Sequence, residues 1–290
     1  MDMLTQLNGA MEYIETNLDN DLIVEDVSRV TSYSPYHFGR LFYYIAGMTL
    51  TEYIRKRKLS LAAMALQNSS VKVIDLAVMY GYDSADSFTR AFVKQHGVTP
   101  TVARQVGIKL TLFPPLTFQI KVEGVRALNW RIEEIDAFVV FGIEKVFSND
   151  ETDRVPWFWD ECRKDGSFER LSKVAATKPE GQERHIINAV CGYYEPSEDS
   201  FPYMICTLKE PESNTEGFIE AVIPKATWAI FTSEKTEEMG ESIPELNMRI
   251  YNEWLPSSGY DKVSGPDMEV YFTDPYGQYY AEVWIPVTKA

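Results

Sequence analysis

The chain has 290 residues, 45% hydrophobic and 24% charged, an ordinary composition for a protein of about two domains. Its 28 basic side chains face 43 acidic ones, a formal charge of −15, which excludes a uniformly basic nucleic-acid binder. Three scattered cysteines (Cys162, Cys191, Cys206) and three lone histidines (His37, His96, His185) argue against a disulfide scaffold and a histidine-rich metal site, so no metal or cofactor is expected. The opening Met1-Asp2-Met3-Leu4-Thr5 has no basic-then-apolar signal, and no run of about 18 apolar residues follows, so a cytoplasmic protein with no membrane partner is expected.

The average charge conceals a division. Residues 1–107 carry 10 Lys and Arg against 11 Asp and Glu, whereas residues 108–290 carry 18 against 32. The pattern changes at the same place. Apolar residues recur at helical spacing before it, and short β-branched and aromatic runs follow it. Pro114-Pro115 disfavours helix on both sides. The expected organisation is multidomain: an all-α domain over residues 1–107, a linker over 108–118 and an α+β domain over 119–290.

The first region repeats itself at an offset of 50 residues. Phe38 overlays Phe88, Arg40 Arg90, Phe42 Phe92, Gly47 Gly97 and Thr49 Thr99, which marks a duplication. Each copy reads as a helix-turn-helix unit. In the first, Val24–Val30 precedes a turn and then a helix that Ser34 caps and Pro35 opens. Phe38, Leu41, Phe42 and Ile45 form its apolar stripe, and Gly47 ends it. In the second, Val73–Tyr80 precedes a helix capped by Ser84, packed through Phe88, Ala91 and Phe92 and ended by Gly97. Between the copies, Leu50–Gln67 predicts a helix of roughly 27 Å. That is on the order of the ~34 Å of one DNA turn.

The residues off the stripes are the candidates for reading DNA. They are Tyr36, His37, Gly39 and Arg40 on the first helix. On the second they are Ala85, Asp86, Thr89, Arg90 and Lys94, with the cap residue Ser84 beside them. Arg40 and Arg90 suit guanine or phosphate. The connector run Arg55-Lys56-Arg57-Lys58 supplies phosphate-facing charge at Arg55, Lys56 and Arg57. By itself such a run is usually a solvated helix face, and the flanking units reverse that preference. From Leu22 to Arg104 the chain resembles the two-unit DNA-binding domain of AraC/XylS transcription regulators. The resemblance rests on Ser34-Pro35-Tyr36-His37-Phe38, Arg40-Leu41-Phe42, Gly47, Tyr80-Gly81-Tyr82, Ser87-Phe88-Thr89-Arg90-Ala91-Phe92 and Gly97-Val98-Thr99-Pro100. It implies double-stranded promoter DNA as the partner, touched at the positions of Tyr36, Gly39, Arg40, Ala85, Asp86, Thr89 and Arg90. Gly39 departs from the polar residue common there.

The acidic region predicts β, α, β, β, twice over. Ala137–Phe147 is a strand, a helix runs from Pro156 to about Lys164, and Ile186–Tyr194 and Tyr203–Lys209 are strands. Phe218–Ile223 and Ala226–Ser233 open the second half. A helix follows, with Ser242 and Glu245 as a capping box and Ile243, Leu246, Ile250, Tyr251 and Trp254 buried. Met268–Thr273 and Tyr280–Val287 close it. The expected fold is an α+β domain of two βαββ halves related by a pseudo-two-fold, with a central ligand cleft. Cys191-Gly192-Tyr193-Tyr194, Ile223-Pro224-Lys225-Ala226-Thr227-Trp228, Tyr251-Asn252-Glu253-Trp254 and Glu282-Val283-Trp284-Ile285-Pro286 resemble the gyrase-inhibitor-like small-molecule-binding domain. That resemblance implies a cleft for amphipathic, often cationic, compounds, and it implies glycine where Cys206 stands.

Glu269 shares a strand face with Tyr271, and Glu282 shares one with Tyr280 and Trp284. A glutamate inside an apolar strand is costly unless paired or functional. A carboxylate among aromatics suits a lipophilic cation, Glu269 more than Glu282, the alternative being that these glutamates point to solvent or cap a backbone turn. Trp157, Trp159, Tyr193 and Trp228 are further pocket candidates. The expectation is a sequence-specific transcription regulator that senses an amphipathic, cationic small molecule. It is not expected to be an enzyme, since no Ser/His/Asp or Cys/His spacing supplies a nucleophile and base. Two alternatives stay open. One is a constitutive regulator whose acidic domain only contacts a protein such as RNA polymerase. The other is a hydrolase of reactive lipophiles using Glu269 and Glu282. Tandem units in one chain leave monomer and dimer both open.

Overall fold

A computed structural model describes residues 3–19, 22, 24–31, 33, 35–118, 126–148, 151, 154–175, 185–194 and 200–289. The chain packs as two compact units, residues 1–32 with 48–119 and residues 33–47 with 120–290. The cap expected at Ser34 lies outside the described residues.

The first unit is helical. Helix α1 (Met3–Thr16) precedes the repeat and buries Leu7, Ala10, Met11 and Ile14 at helical spacing. It is followed by α2 (Val24–Val30). After α3 (Pro35–Ala46), which packs in the second unit, come α4 (Leu50–Asn68), α5 (Val73–Met79), α6 (Ala85–His96) and the short α7 (Pro100–Ala103). The repeat is visible in the caps. Thr49 accepts from the Glu52 amide at 3.1 Å and Thr99 from the Val102 amide at 3.4 Å. Gly47 and Gly97 both take the left-handed conformation, φ +68° and +75°, that a side chain disfavours. Ser84 caps α6 by accepting from the Ser87 amide, and Ser87 returns the bond. Leu59, Ala62, Ala63 and Leu66 of α4 meet Leu76, Ala77, Phe88 and Phe92 in the core.

Residues 108–118 form no helix or strand, yet they are held along their length. The Asn8 amide exchanges two bonds with the Phe118 backbone, at 3.1 and 2.9 Å. The Leu116 amide donates to the Tyr53 hydroxyl at 3.0 Å and the Phe113 amide to Ser60 at 2.9 Å. The buried Arg57 bonds the Phe113 carbonyl and pairs with Glu15 at 2.6 Å. Side chains do this work because a Pro-Pro segment cannot offer a ladder of N–H donors.

The second unit is an antiparallel sheet with helices. Its strands are β1 (Asn129–Ile135), β2 (Phe138–Ser148), β3 (Asn188–Cys191), β4 (Ser200–Leu208), β5 (Ile219–Ile223), β6 (Ala226–Thr232), β7 (Tyr260–Lys262), β8 (Asp267–Thr273) and β9 (Tyr279–Lys289). The order is β1-β6-β9-β8-β3-β4-β2-β5, with β7 on β9. Read from either edge to the middle, the two halves have the same plan and meet between β3 and β8. They also exchange strands: β1 precedes β2 in the chain but pairs with β6, and β5 precedes β6 but pairs with β2. The expected βαββ half thus gains an outer strand. The sequence hides β1 because an edge strand lacks a buried face, and most of its residues are exposed.

Helices α8 (Val155–Lys164) and α9 (Ser167–Val174) lie between β2 and β3 in the chain, and α10 (Ile243–Arg249) between β6 and β8. α10 continues into a π-helical turn, Ile250–Trp254, and Ile243, Leu246, Ile250, Tyr251 and Trp254 are all buried. The capping box expected at its start does not form. The Ser242 hydroxyl bonds that of Ser233 at 2.8 Å, and Glu245 pairs with Arg126 at 2.9 Å. Cys206 is fully buried opposite Gly142 of β2. That pair therefore contains one side chain, and the glycine is where the strands close up.

Two outcomes are expected from these contacts. A Cβ on Gly142 would stand 1.9 Å from the Ile205 carbonyl oxygen, so Gly142→Ala should lower the unfolding free energy by about 3 kcal/mol, read by denaturant titration. Arg57→Met should cost about 3 kcal/mol by stranding Glu15. Burial alone would raise the Glu15 carboxyl, but Arg57 and Tyr53 hold it below its ordinary 4.5. Its stabilisation is therefore complete above about pH 4.5 and is lost as pH falls through the depressed folded value. The difference between wild type and Glu15→Gln should shrink over that window.

Candidate functional site

Two surfaces collect the residues singled out by the sequence. The first is α6. With Phe88, Phe92 and His96 buried, the helical period turns Asp86, Arg90, Val93 and Lys94 to solvent, with Ala85 and Thr89 half-buried beside them. The Thr89 hydroxyl donates to the Ala85 carbonyl at 2.7 Å, which leaves its oxygen as an acceptor toward the outside. Ser84 is exposed at the helix start.

The basic run on α4 does not act as one patch. Arg55 is exposed. Lys56 is half-buried, paired with Glu52 at 2.7 Å and 4.8 Å above the Phe113 ring. Arg57 is buried against Glu15, so its expected phosphate role is corrected to a structural one. Successive helical residues point about 100° apart, so a run of four cannot share a face. Of the first recognition helix, the side chains of Tyr36 and His37 lie outside the described residues, and Gly39 is half-buried. Arg40 is only 7% exposed, a correction to the reading that set it on an open face.

The second surface lies on the sheet at the β3/β8 seam. Met268 and Val270 of β8 belong to a core with Val190, Met204, Trp228, Ile230 and Trp284. By alternation, Asp267, Glu269 and Tyr271 occupy the opposite face. There Glu269 accepts from the Tyr203 hydroxyl at 3.0 Å and the Tyr271 hydroxyl at 2.9 Å. The Trp159 indole N–H donates to Tyr203 at 2.9 Å, and its ring meets Tyr271 edge-on at 5.5 Å. Burial first, and then the Glu269 charge, pushes the phenols of Tyr203 and Tyr271 well above their ordinary value, which keeps both as donors. Beside this group, Trp159, Phe168, His185, Ile186, Ile187 and Met239 line a cavity of about 290 Å³.

Glu269, Tyr271 and Trp159 are thus brought together, and the other pocket candidates are not. Val270 stands opposite Glu282 in the ladder, so Glu282 faces the Trp284 and Trp228 core. Arg131 holds Glu282 at 2.6 Å, and the Trp284 indole donates to it at 2.9 Å. Trp228 is fully buried in that core. Tyr193 packs against the same core and bonds Glu144. Trp157, two residues before Trp159, turns outward and is 62% exposed. Glu269 and Glu282 therefore cannot act on one substrate as acid and base. The sequence reading missed Tyr203 and Asp267, although the alternation that selected Tyr271 also selects Asp267. Among the described residues, no group of three or more potential metal ligands occurs, and no helix is long and apolar enough to cross a membrane.

Comparison with known proteins assigns the two regions. The family of GyrI-like small molecule binding domains matches residues 129–288, and a helix-turn-helix domain family matches residues 27–105. The transcriptional regulator Rob of Salmonella typhimurium is 23% identical over 282 residues, covering 94% of this chain and 92% of Rob. The HTH-type transcriptional activator AarP of Providencia stuartii is 40% identical over 98 residues, 34% of this chain and 73% of AarP. The probable transcription factor PqrA of Proteus vulgaris is 36% identical over 103 residues, 35% of this chain and 84% of PqrA.

The exposure pattern separates the basic residues experimentally. Arg55→Ala and Lys94→Ala should each weaken binding to any duplex and reduce the slope of log affinity against log salt by about 1. Arg90→Ala should cost about 1–3 kcal/mol if it reads a base. Fluorescence anisotropy over a salt series distinguishes these outcomes.

Proposed function

The chain belongs to the AraC-type helix-turn-helix transcription regulators that carry a GyrI-like small-molecule-binding domain, and from that premise we propose that its second unit senses an amphipathic monocation with Glu269 as the counter-charge. The observation that carries the reading is the way Glu269 is satisfied. Two hydroxyls bond the carboxylate without neutralising it, so its charge stays available to a ligand. An ion pair would have cancelled it, as Arg131 does for Glu282.

The surroundings support the same chemistry. The cavity of about 290 Å³ is lined mainly by aromatic and aliphatic side chains, among them Trp159, whose indole bonds Tyr203, which in turn bonds the Glu269 carboxylate. Aromatic faces attract a cation that has lost its water, and an apolar wall with few polar groups is the usual form of a small-molecule site. DNA engagement falls to the exposed strip Asp86, Arg90 and Lys94 of α6 together with Arg55. A ligand alters DNA binding only as far as it binds two states of the chain unequally.

Tetraphenylphosphonium and tetraphenylborate have the same shape and opposite charge, so together they isolate the electrostatic part. Tryptophan fluorescence of the full chain should report binding of the phosphonium and not of the borate. Glu269→Gln should weaken the phosphonium by about 10- to 100-fold, or about 1.4–2.7 kcal/mol. Equal affinity for the two ions, or an unchanged Glu269→Gln variant, overturns the proposal.

A further inference from the structure

The two copies of the repeat differ sharply in one respect. Arg90 of α6 is exposed, whereas Arg40, its equivalent 50 residues earlier, is buried in the second unit. On α3, Phe38, Leu41 and Phe42 bury one face. Arg40, buried, and Tyr44, half-buried, lie one turn apart on the other side of the helix. A surface helix ordinarily buries one stripe, so the covered outer face of α3 needs a reason.

The contacts supply it. The Arg40 guanidinium lies 3.8 Å from Asp267, bonds the Cys191 sulfur, and bonds the Tyr44 hydroxyl at 3.1 Å. The Tyr44 ring stacks on Tyr251 of the π-helical turn, with centroids 5.6 Å apart and planes at 10°. Lys262 also reaches Asp267, at 2.7 Å. Cys191 and Asp267 are ladder partners across the β3/β8 seam, and Asp267 is two residues from Glu269 on the same strand face. Burial pushes the Tyr44 phenol up to about 12, with Arg40 opposing and Glu269, Cys191 and Asp267 adding to the rise.

A positive group and an aromatic ring, carried together, therefore sit on the ligand face of the sheet. That is the chemistry already assigned to the effector. With α3 in place, Arg40 and Lys262 balance Asp267 and Glu269. Without it, two carboxylates face one lysine, and one negative charge is left in a poorly hydrated place, which favours entry of a monocation.

We propose that α3 is an internal ligand of the effector cleft: Arg40 and Tyr44 fill a subsite, formed by Asp267, Cys191 and Tyr251, that an aromatic monocation takes in their place, and its binding frees the first recognition helix for DNA. The inference rests on the monocation reading for the identity of the competitor, but not for the docking of α3. Coupling of this kind is reciprocal, so DNA that engages Arg40 tightens the effector by the factor by which the effector tightens DNA.

The test uses the full chain, tetraphenylphosphonium, and a duplex of roughly 25 base pairs selected by the protein from a randomised pool, long enough for two major-groove sites. At saturating cation the amides of residues 36–46 of α3 should exchange with deuterium about tenfold faster than in the free protein. Without ligand, the paired change Lys262→Met with Asp267→Asn should tighten the duplex about tenfold by removing the Arg40 counter-charge, and adding Arg40→Ala should abolish the gain. Tyr251→Leu removes the ring under Tyr44 and no charge. It should tighten the duplex in the same direction, and near-UV circular dichroism confirms that each variant is folded. A cation that binds while the 36–46 amides keep their protection overturns the internal-ligand inference and leaves the sensing reading standing. Failure of the cation to bind refutes the sensing reading alone. The inference is then decided by the duplex, and unchanged affinity in the folded variants overturns it.

Discussion

β3 and β8 meet over only three residue pairs, Ala189 with Glu269, Val190 with Met268 and Cys191 with Asp267, and that ladder sets the chemistry of the second unit. Each carboxylate stands beside a small partner, so neither is roofed by its neighbour across the seam. Trp159 of α8 meets Tyr271 of β8, and Tyr251 after α10 stacks on Tyr44 of α3.

The sheet satisfies its internal carboxylates in different ways. Glu282 is held by Arg131 against an apolar core, and Asp267 lies between Lys262 and Arg40. Glu269 instead accepts from two phenols, which are uncharged donors. An ion pair in the interior gives little net stability over apolar packing but makes the removal of one partner costly. Asp267 can lose Arg40 more readily than Glu282 can lose Arg131, because Lys262 remains.

Local features were legible in the sequence. The 50-residue offset, the serine cap at Ser84 and the glycine helix ends at Gly47 and Gly97 depend on a few neighbouring residues and recur in place, whereas the threonine caps at Thr49 and Thr99 went unread and the capping box expected at Ser242 does not form. Alternation placed Tyr271 beside Glu269. It could not say which of two strand glutamates faced the cleft, because that needs the β8/β9 register that sets Val270 opposite Glu282. Long-range pairings were hidden for the same reason. Nothing near Arg57 points to Glu15, 42 residues earlier, and nothing in α3 distinguishes Arg40 from Arg90 until distant strands are in place. The edge strand β1 was illegible because its pairing with β6 leaves so little of it buried.

The π-helical turn at Ile250–Trp254 has a consequence for how this chain tolerates change in length. Such a turn holds more residues than an α-helical turn of the same rise, so the helix enters it in one phase and leaves it in another. Ile243, Leu246 and Asn247 are buried in the first phase, and Trp254 and Leu255 in the second. Removing one residue between them would restore an unbroken α-helix and rotate everything downstream by about 100°. Tyr251 or Trp254 would then leave its place on the sheet. The backbone would become more regular while the ring contacts of Tyr251 with Tyr44 and of Trp254 with Phe231 were lost, so in this stretch the spacing of the chain carries information that residue identity alone does not.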